Sequence, residues 1–349
     1  MTDAWIGYSA LPRPYTGELT LGDAIAYLDA DGDGDTDVFM ATGQYLSEGD
    51  HDSELFLNNG SYTFTFDVGP FAGSTPPATH ARKSLVADFD GNGRDDIFVL
   101  DHGFDSNPFP GNEPKLILQD NPGSFSWRRL TDQTGFHHGG AAGDFDNDGD
   151  IDVFVGGFDP FFYVNDGSGA FNKVDDRWDG SMAKVFSAEL IDVDQDGYLD
   201  LLVGAHERDG DQTAVYWGNS TGAYTAGDRT PVPQMAQLGA VLDFDAADVD
   251  GDGDRDLILN RTRDGDDGGE GGFYTGRITQ LVLHDGSRGF TDATGQVDAP
   301  GDGSEPWFPW LRTVDLNQDG DLDIVPDNAD IGYVWINDGA GIFTRTDWP

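Results

Sequence analysis

The sequence contains no cysteine. Disulfides, thiolate metal sites and cysteine nucleophiles are thereby excluded. Lysine is nearly absent, with four residues against fifteen arginines, and glutamate is scarce, with eight residues against 57 aspartates. No run of 18 apolar residues occurs, and the opening MTDAWIGYSALPRP has neither a basic n-region nor an apolar h-region, so neither a membrane span nor an export signal is expected. Positive charge as a whole is in short supply: 19 Lys and Arg face 65 Asp and Glu, a net charge of −46. Nucleic acid and anionic lipid are bound through Lys and Arg, so both are excluded as partners.

A charge of this size usually accompanies disorder. Here 12% aromatic and 37% hydrophobic residues, among them 23 Phe, 11 Tyr and 8 Trp, supply the apolar surface for a core. The 349 residues are expected to fold as one domain spanning 1–349, with 1–20 adding an edge strand or cap where Trp348 meets the start.

The acids fall into a repeat. Six nine-residue segments share one template: DADGDGDTD (29–37), DFDGNGRDD (88–96), DFDNDGDID (144–152), DVDQDGYLD (192–200), DVDGDGDRD (248–256) and DLNQDGDLD (315–323). Their spacing of 48 to 67 residues is that of a propeller blade and too long for a nonapeptide β-helix. Position 1 is Asp29, Asp88, Asp144, Asp192, Asp248 or Asp315; position 3 is Asp31, Asp90, Asp146, Asp194, Asp250 or Asn317. Position 5 is Asp33, Asn92, Asp148, Asp196, Asp252 or Asp319, position 6 is always Gly, and position 9 is Asp37, Asp96, Asp152, Asp200, Asp256 or Asp323.

Short oxygen donors at alternate positions of a tight loop, with Gly at the sharp turn, are what a Ca²⁺ ion needs for its six to eight oxygens. Position 7 varies (Asp35, Arg94, Asp150, Tyr198, Asp254, Asp321), as expected if it gives only its backbone carbonyl. One such string would read as an acidic surface turn. Six copies with fixed positions, each followed by an apolar pair such as Val38-Phe39 or Leu201-Leu202, point instead to up to six calcium sites.

Around each loop the pattern is strand, loop, strand, a connection of variable length, then a hairpin closed by an aromatic: Phe64, Phe125, Phe171, Tyr224, Phe290 or Phe343. Six such units of four antiparallel strands make an all-β, six-bladed propeller, and residues 1–20 are too few for a seventh blade. On these six loops the chain resembles the FG-GAP or VCBS repeat family, the calcium-binding β-propeller of integrin α-subunit heads and many microbial surface proteins. The resemblance spans residues 24 to 347 and implies that positions 1, 3, 5 and 9 are the calcium ligands. Unlike integrins, this chain carries the motif in every blade and lacks clear FG and GAP strings.

Antiparallel strands place the calcium loops and hairpin turns at one end of every blade and the irregular connections at the other. The irregular end should carry a ligand site. Arg82, Arg208, Arg261, Arg263, Arg277, Trp178, Trp307, Trp310, His80, His102, His137, His138 and His206 map there, and Arg and Trp are favoured anchors for proteins and sugars. Packing under long loops is the plain alternative for the tryptophans. His284 replaces an Asn in a turn and reads as structural.

The reading is a non-enzymatic, calcium-stabilised binding or adhesion module for a protein or glycan on another surface. The alternative is a calcium-dependent polysaccharide lyase, with His137 or His138, His206 and Arg208 as its candidates. The nine-residue loops hold −25 of the charge and the rest of the chain −21, an excess suited to molar salt. An extracellular type of module without an export signal, in such a setting, suggests a surface or host-attachment protein of a haloarchaeal tailed virus, with other virion subunits as further partners.

Overall fold

The computed structural model describes residues 24–41, 49–61, 63–131, 133–180, 182, 184–265, 274–308, 310–326 and 331–347. The expected cap at 1–20 and its meeting with Trp348 lie outside these residues. The fold is all-β, and its six four-stranded antiparallel sheets, each in chain order, are the blades of a β-propeller.

Blade 1 consists of β1 (Ala24–Leu28), β2 (Asp37–Ala41), β4 (Glu54–Asn58) and β5 (Phe64–Phe66), with β3 (His51–Asp52) and β6 (Pro77–Ala78) paired beside it. Blade 2 is β7 (Ala81–Ala87), β8 (Asp96–Asp101), β9 (Lys115–Asn121) and β10 (Ser124–Arg129); blade 3 is β11 (Gly140–Gly143), β12 (Asp152–Val155), β13 (Phe161–Val164) and β14 (Asn172–Val174). Blade 4 is β15 (Ser187–Ile191), β16 (Asp200–Gly204), β17 (Ala214–Tyr216) and β18 (Arg229–Pro231). Blade 5 is β19 (Ala240–Ala247), β20 (Asp256–Thr262), β21 (Ile278–His284) and β22 (Phe290–Asp292); blade 6 is β23 (Leu311–Val314), β24 (Asp323–Pro326), β25 (Tyr333–Asn337) and β26 (Phe343–Asp347). Three 3₁₀ turns are the helical elements among the described residues, and no helix is long and apolar enough to cross a membrane.

The chain divides into two compact units, Met1–Arg177 with blades 1 to 3 and Trp178–Pro349 with blades 4 to 6. Within each unit the core lies between successive blades. Ile97, Val99 and Ile117 of blade 2 pack with Leu28, Phe39 and Leu55 of blade 1, and Leu100 and Leu116 pack with Val153 and Tyr163 of blade 3. Leu257 and Leu259 meet Leu202 and Val215, and Ile258 and Leu281 meet Trp335 and Phe343. The second strand of every blade is buried along its whole length, which explains its unbroken apolar run in place of alternation. First strands of neighbouring blades approach one another, as β1 does β7 and β19 does β23, and in blade 3 the first strand is reduced to the small residues GAAG.

Candidate metal loops and recognition loops

Each aspartate-rich loop joins the first two strands of its blade, and its ninth residue opens the second strand. That placement buries the carboxylate completely: Asp37, Asp96, Asp152, Asp200, Asp256 and Asp323 are all 0% exposed. Oδ1 of each accepts an N–H from the end of the third strand, from Asn58, Gln119, Asn165, Gly218, His284 or Asn337, at 2.7–3.0 Å. In five blades Oδ2 accepts the N–H of loop position 2, from Ala30, Phe89, Val193, Val249 or Leu316. The ninth aspartate is therefore a structural tie as well as a candidate ligand.

The other fixed positions also shape the loop. Oδ2 of position 1 accepts the N–H of the position 6 glycine in all six blades, at 2.7–3.1 Å. Position 5 accepts the N–H of position 7 at 2.9–3.0 Å. The glycine itself has φ between 84° and 102° in all six copies, while nothing lies within 4 Å of where its Cβ would stand. Backbone conformation, not space, demands glycine there.

Two features escape the template. Position 4 is also left-handed, and Asn147, Gln195 and Gln318 adopt it with φ of 57–62°. Position 7 is more than a carbonyl: a Cβ on Gly60, Gly167, Gly286 or Gly339 would meet the side chain of Asp35, Asp150, Asp254 or Asp321 at 2.5–2.6 Å. The hairpin-turn glycines thus seat those side chains. Arg94 instead donates from Nε to the Gln119 carbonyl and from Nη2 to that of Asp120, both at 2.8 Å.

Carboxylate oxygens of Asp29, Asp31 and Asp33, of Asp88, Asp90 and Asp96, of Asp144, Asp146 and Asp152, and of Asp192, Asp194 and Asp200 each converge within 4.8 Å. Burial, with neighbouring carboxylates adding to it, raises Asp37, Asp96 and Asp256 to about 6, Asp200 to about 7 and Asp152 to about 8. Blade 3 gives the sharpest test of fit. Asp146 Oδ1 and Asp152 Oδ2 are buried without any hydrogen-bond donor, a costly arrangement that a hard, oxygen-seeking cation would relieve. The all-oxygen donor set fits Ca²⁺. In blade 4 an internal cation intrudes: Arg288, from the β21–β22 turn, lies 2.6 Å from Asp194 and 3.3 Å from Asp196 while stacking 4.7 Å from the Trp217 ring centre.

At the opposite blade ends, most of the proposed ligand anchors are packed away. Arg261 is fully buried and donates to Gln280 Oε1 at 2.6 Å, Glu207 Oε1 at 3.0 Å and the Pro233 carbonyl. Arg277 is buried too, paired with Glu305 at 2.7 Å. Trp178, expected at that end, instead lies at the end of the aspartate loops, buried beside Tyr216 and bridging Tyr224 of the third-to-fourth-strand turn, where it packs. His206 stacks on Phe186 at 3.8 Å, and His137 is buried against Phe161 with its pKa lowered by burial to about 4. His284 is structural, as expected: its N–H holds Asp256 and its Nε2 accepts the N–H of Arg288.

Half-buried residues remain at those ends. In the second unit Arg263, Trp307 and Trp310 are half-buried and Arg208 is exposed, with Trp307 5.7 Å from Tyr274. In the first unit Arg82 and His102 are buried, but an aromatic group missed by the sequence reading lies near them: Phe109, 39% exposed, meets Phe136 and Phe158, and Phe136 stacks on His102 at 4.3 Å. Three connections build it, Phe109 coming from between β8 and β9, Phe136 from between β10 and β11 and Phe158 from between β12 and β13, and no motif marks them.

Among solved structures, a lectin of Agrocybe aegerita that recognises non-reducing terminal N-acetylglucosamine is similar over 95% of this chain and 81% of its own, at 17% identity and a TM-score of 0.57. The V. cholerae biofilm matrix protein Bap1 is similar over 83% of this chain and 42% of its own, at 18% identity and a TM-score of 0.44. No curated protein matches the sequence. The FG-GAP-like repeat matches residues 29–99, 88–155 and 192–259, over half of the chain, and each stretch begins on the first aspartate of a loop. The chain belongs to the FG-GAP-like repeat family.

Proposed function

We propose that the protein is a calcium-stabilised, non-enzymatic binding module that recognises a protein or glycan on another surface. The observation that carries this reading is the division of labour within a blade. Blade 2 gathers Asp88, Asp90 and Asp96 at one end, in a loop of the same form as five others, and His102, Phe136 and the exposed Phe109 around the other. A uniform, metal-suited end stiffens the scaffold, and irregular aromatic loops at the other end present a surface. The lectin's recognition of a sugar on a similar fold supports a glycan as one partner class. Charge outside the nine-residue loops, −21, supports a salt-rich exterior setting, a halophilic virion surface among them.

Calcium should raise the melting temperature strongly above its value in chelator, because ligands that bind only the folded state stabilise it by mass action. Identical melts would overturn the calcium half. A glycan array probed in calcium tests recognition, and unsaturated product from an acidic polysaccharide would overturn the non-enzymatic half.

A further inference from the structure

Blade 2 carries a second donor cluster of different chemistry, at the end remote from its aspartate loop. One ring nitrogen each of His80 and His102 and a carboxylate oxygen of Asp105 lie within 4.8 Å of one another. His80 immediately precedes β7, His102 immediately follows β8, and the register pairs Ala81 with Asp101. The seven residues of β7 therefore put about 20 Å between this cluster and the aspartate loop.

The cluster is built in advance of any ligand. His102 Nδ1 faces the Gly103 carbonyl at 2.8 Å, so Nδ1–H donates there and Nε2 keeps its lone pair. Phe136 stacks on the ring at 4.3 Å and 12°, and the His80 ring stands edge-on to it at 4.3 Å. Beneath both lies Asp101, fully buried, which accepts the N–H groups of Thr79, His80 and Gly103, the amide of Asn112 and a 2.5 Å bond from Lys115. One carboxylate thus fixes the backbone on either side of the histidine pair.

We propose that His80, His102 and Asp105 form a site for a borderline first-row divalent cation of the Zn²⁺ class. Two imidazoles and one carboxylate suit such an ion and not Ca²⁺, and three protein donors leave a coordination position open to water or to a ligand group. The charge nearby opposes it: Arg82, at the bulge in β7 where Ala81 and Lys83 flank it, acts on all three groups. The guanidinium should hold the affinity below that of a site without it.

Titration with Co²⁺ in excess Ca²⁺, followed by visible absorption, tests the site while calcium competes at the aspartate loops. One equivalent should bind with the d–d spectrum of a four-coordinate nitrogen and oxygen site. His80→Gln and His102→Gln should each weaken binding beyond the roughly 10–100-fold that loss of an outer partner costs. Asp105→Asn, in a half-buried loop position, should weaken binding without loss of the fold, Arg82→Gln should tighten it by about tenfold, and His51→Gln should leave it unchanged. No cobalt bound in calcium, or binding unaltered in Asp105→Asn and in whichever histidine variants melt cooperatively, would overturn the proposal.

Discussion

Asp256 shows how much one residue type carries. It lies at the start of a fully buried strand, takes the N–H of Val249 on one oxygen and that of His284 on the other, and completes the loop that begins at Asp248. Asp256→Ala orphans two buried donors and should cost about 2–6 kcal/mol at 1–3 kcal/mol each, in chelator as well as in calcium. Asp252 is different, since an Asn there can still accept the N–H of Asp254, as Asn92 accepts that of Arg94 in blade 2. Asp252→Asn should therefore be nearly silent in chelator and should blunt only the response to calcium. Denaturant unfolding of both variants in both conditions separates the structural duty from the ligand duty.

At the scale of the loop and its strands, pH reports the cost of burying the ninth carboxylate, to which neighbouring carboxylates add. Folding raises Asp200 to about 7 and Asp152 to about 8 from the ordinary 3.8, so between pH 6.5 and about 8.5 the folded chain holds protons that the unfolded chain has released. Stability of the metal-free protein must then fall as pH rises through that window. Below 6.5 the buried His80 and His137, lowered to about 3 and about 4, act in the opposite sense, because the unfolded chain binds their protons. Melting in chelator should thus be lower at pH 8.5 than at 6.5, and calcium, which binds the charged form, should abolish the difference. A melt that rises across this window in chelator contradicts the assignment. Loops are also tied to their neighbours: the side-chain amides of Gln119, Asn165 and Asn337 donate to the carbonyls of Ala30, Phe89 and Val249 in the preceding blade's loop.

For the whole molecule, −46 is a self-repulsion that two agents relieve differently. Calcium, if held as proposed, would act on the loops; salt acts on the remaining surface by shortening the screening length from about 10 Å at 0.1 M to about 3 Å at 1 M. Added sodium chloride should raise the melting temperature in chelator and should still raise it, by less, once calcium is bound. A calcium-loaded protein indifferent to salt would argue against a salt-rich setting.

The sequence by itself determined the blades. Six copies of a nine-residue template, the first strand at 24–28, the buried apolar pair after each ninth aspartate and the turn aromatics were all legible, because each is a local pattern with a local cause: a left-handed glycine, a carboxylate accepting a nearby N–H, a two-residue periodicity. His284 was legible on the same ground, as a misfit in a known register. Only tertiary structure decided what the arginines, tryptophans and histidines do. Arg261 and Trp178 look like anchors in the sequence, but their partners come from distant segments, Glu207 and Pro233 for one and Tyr216 and Tyr224 for the other. His80, His102 and Asp105 become a cluster because the pairing of β7 with β8 brings residues 22 and 25 apart in the chain side by side. A repeat can be read from its spacing; a meeting of side chains across strands has no spacing to read.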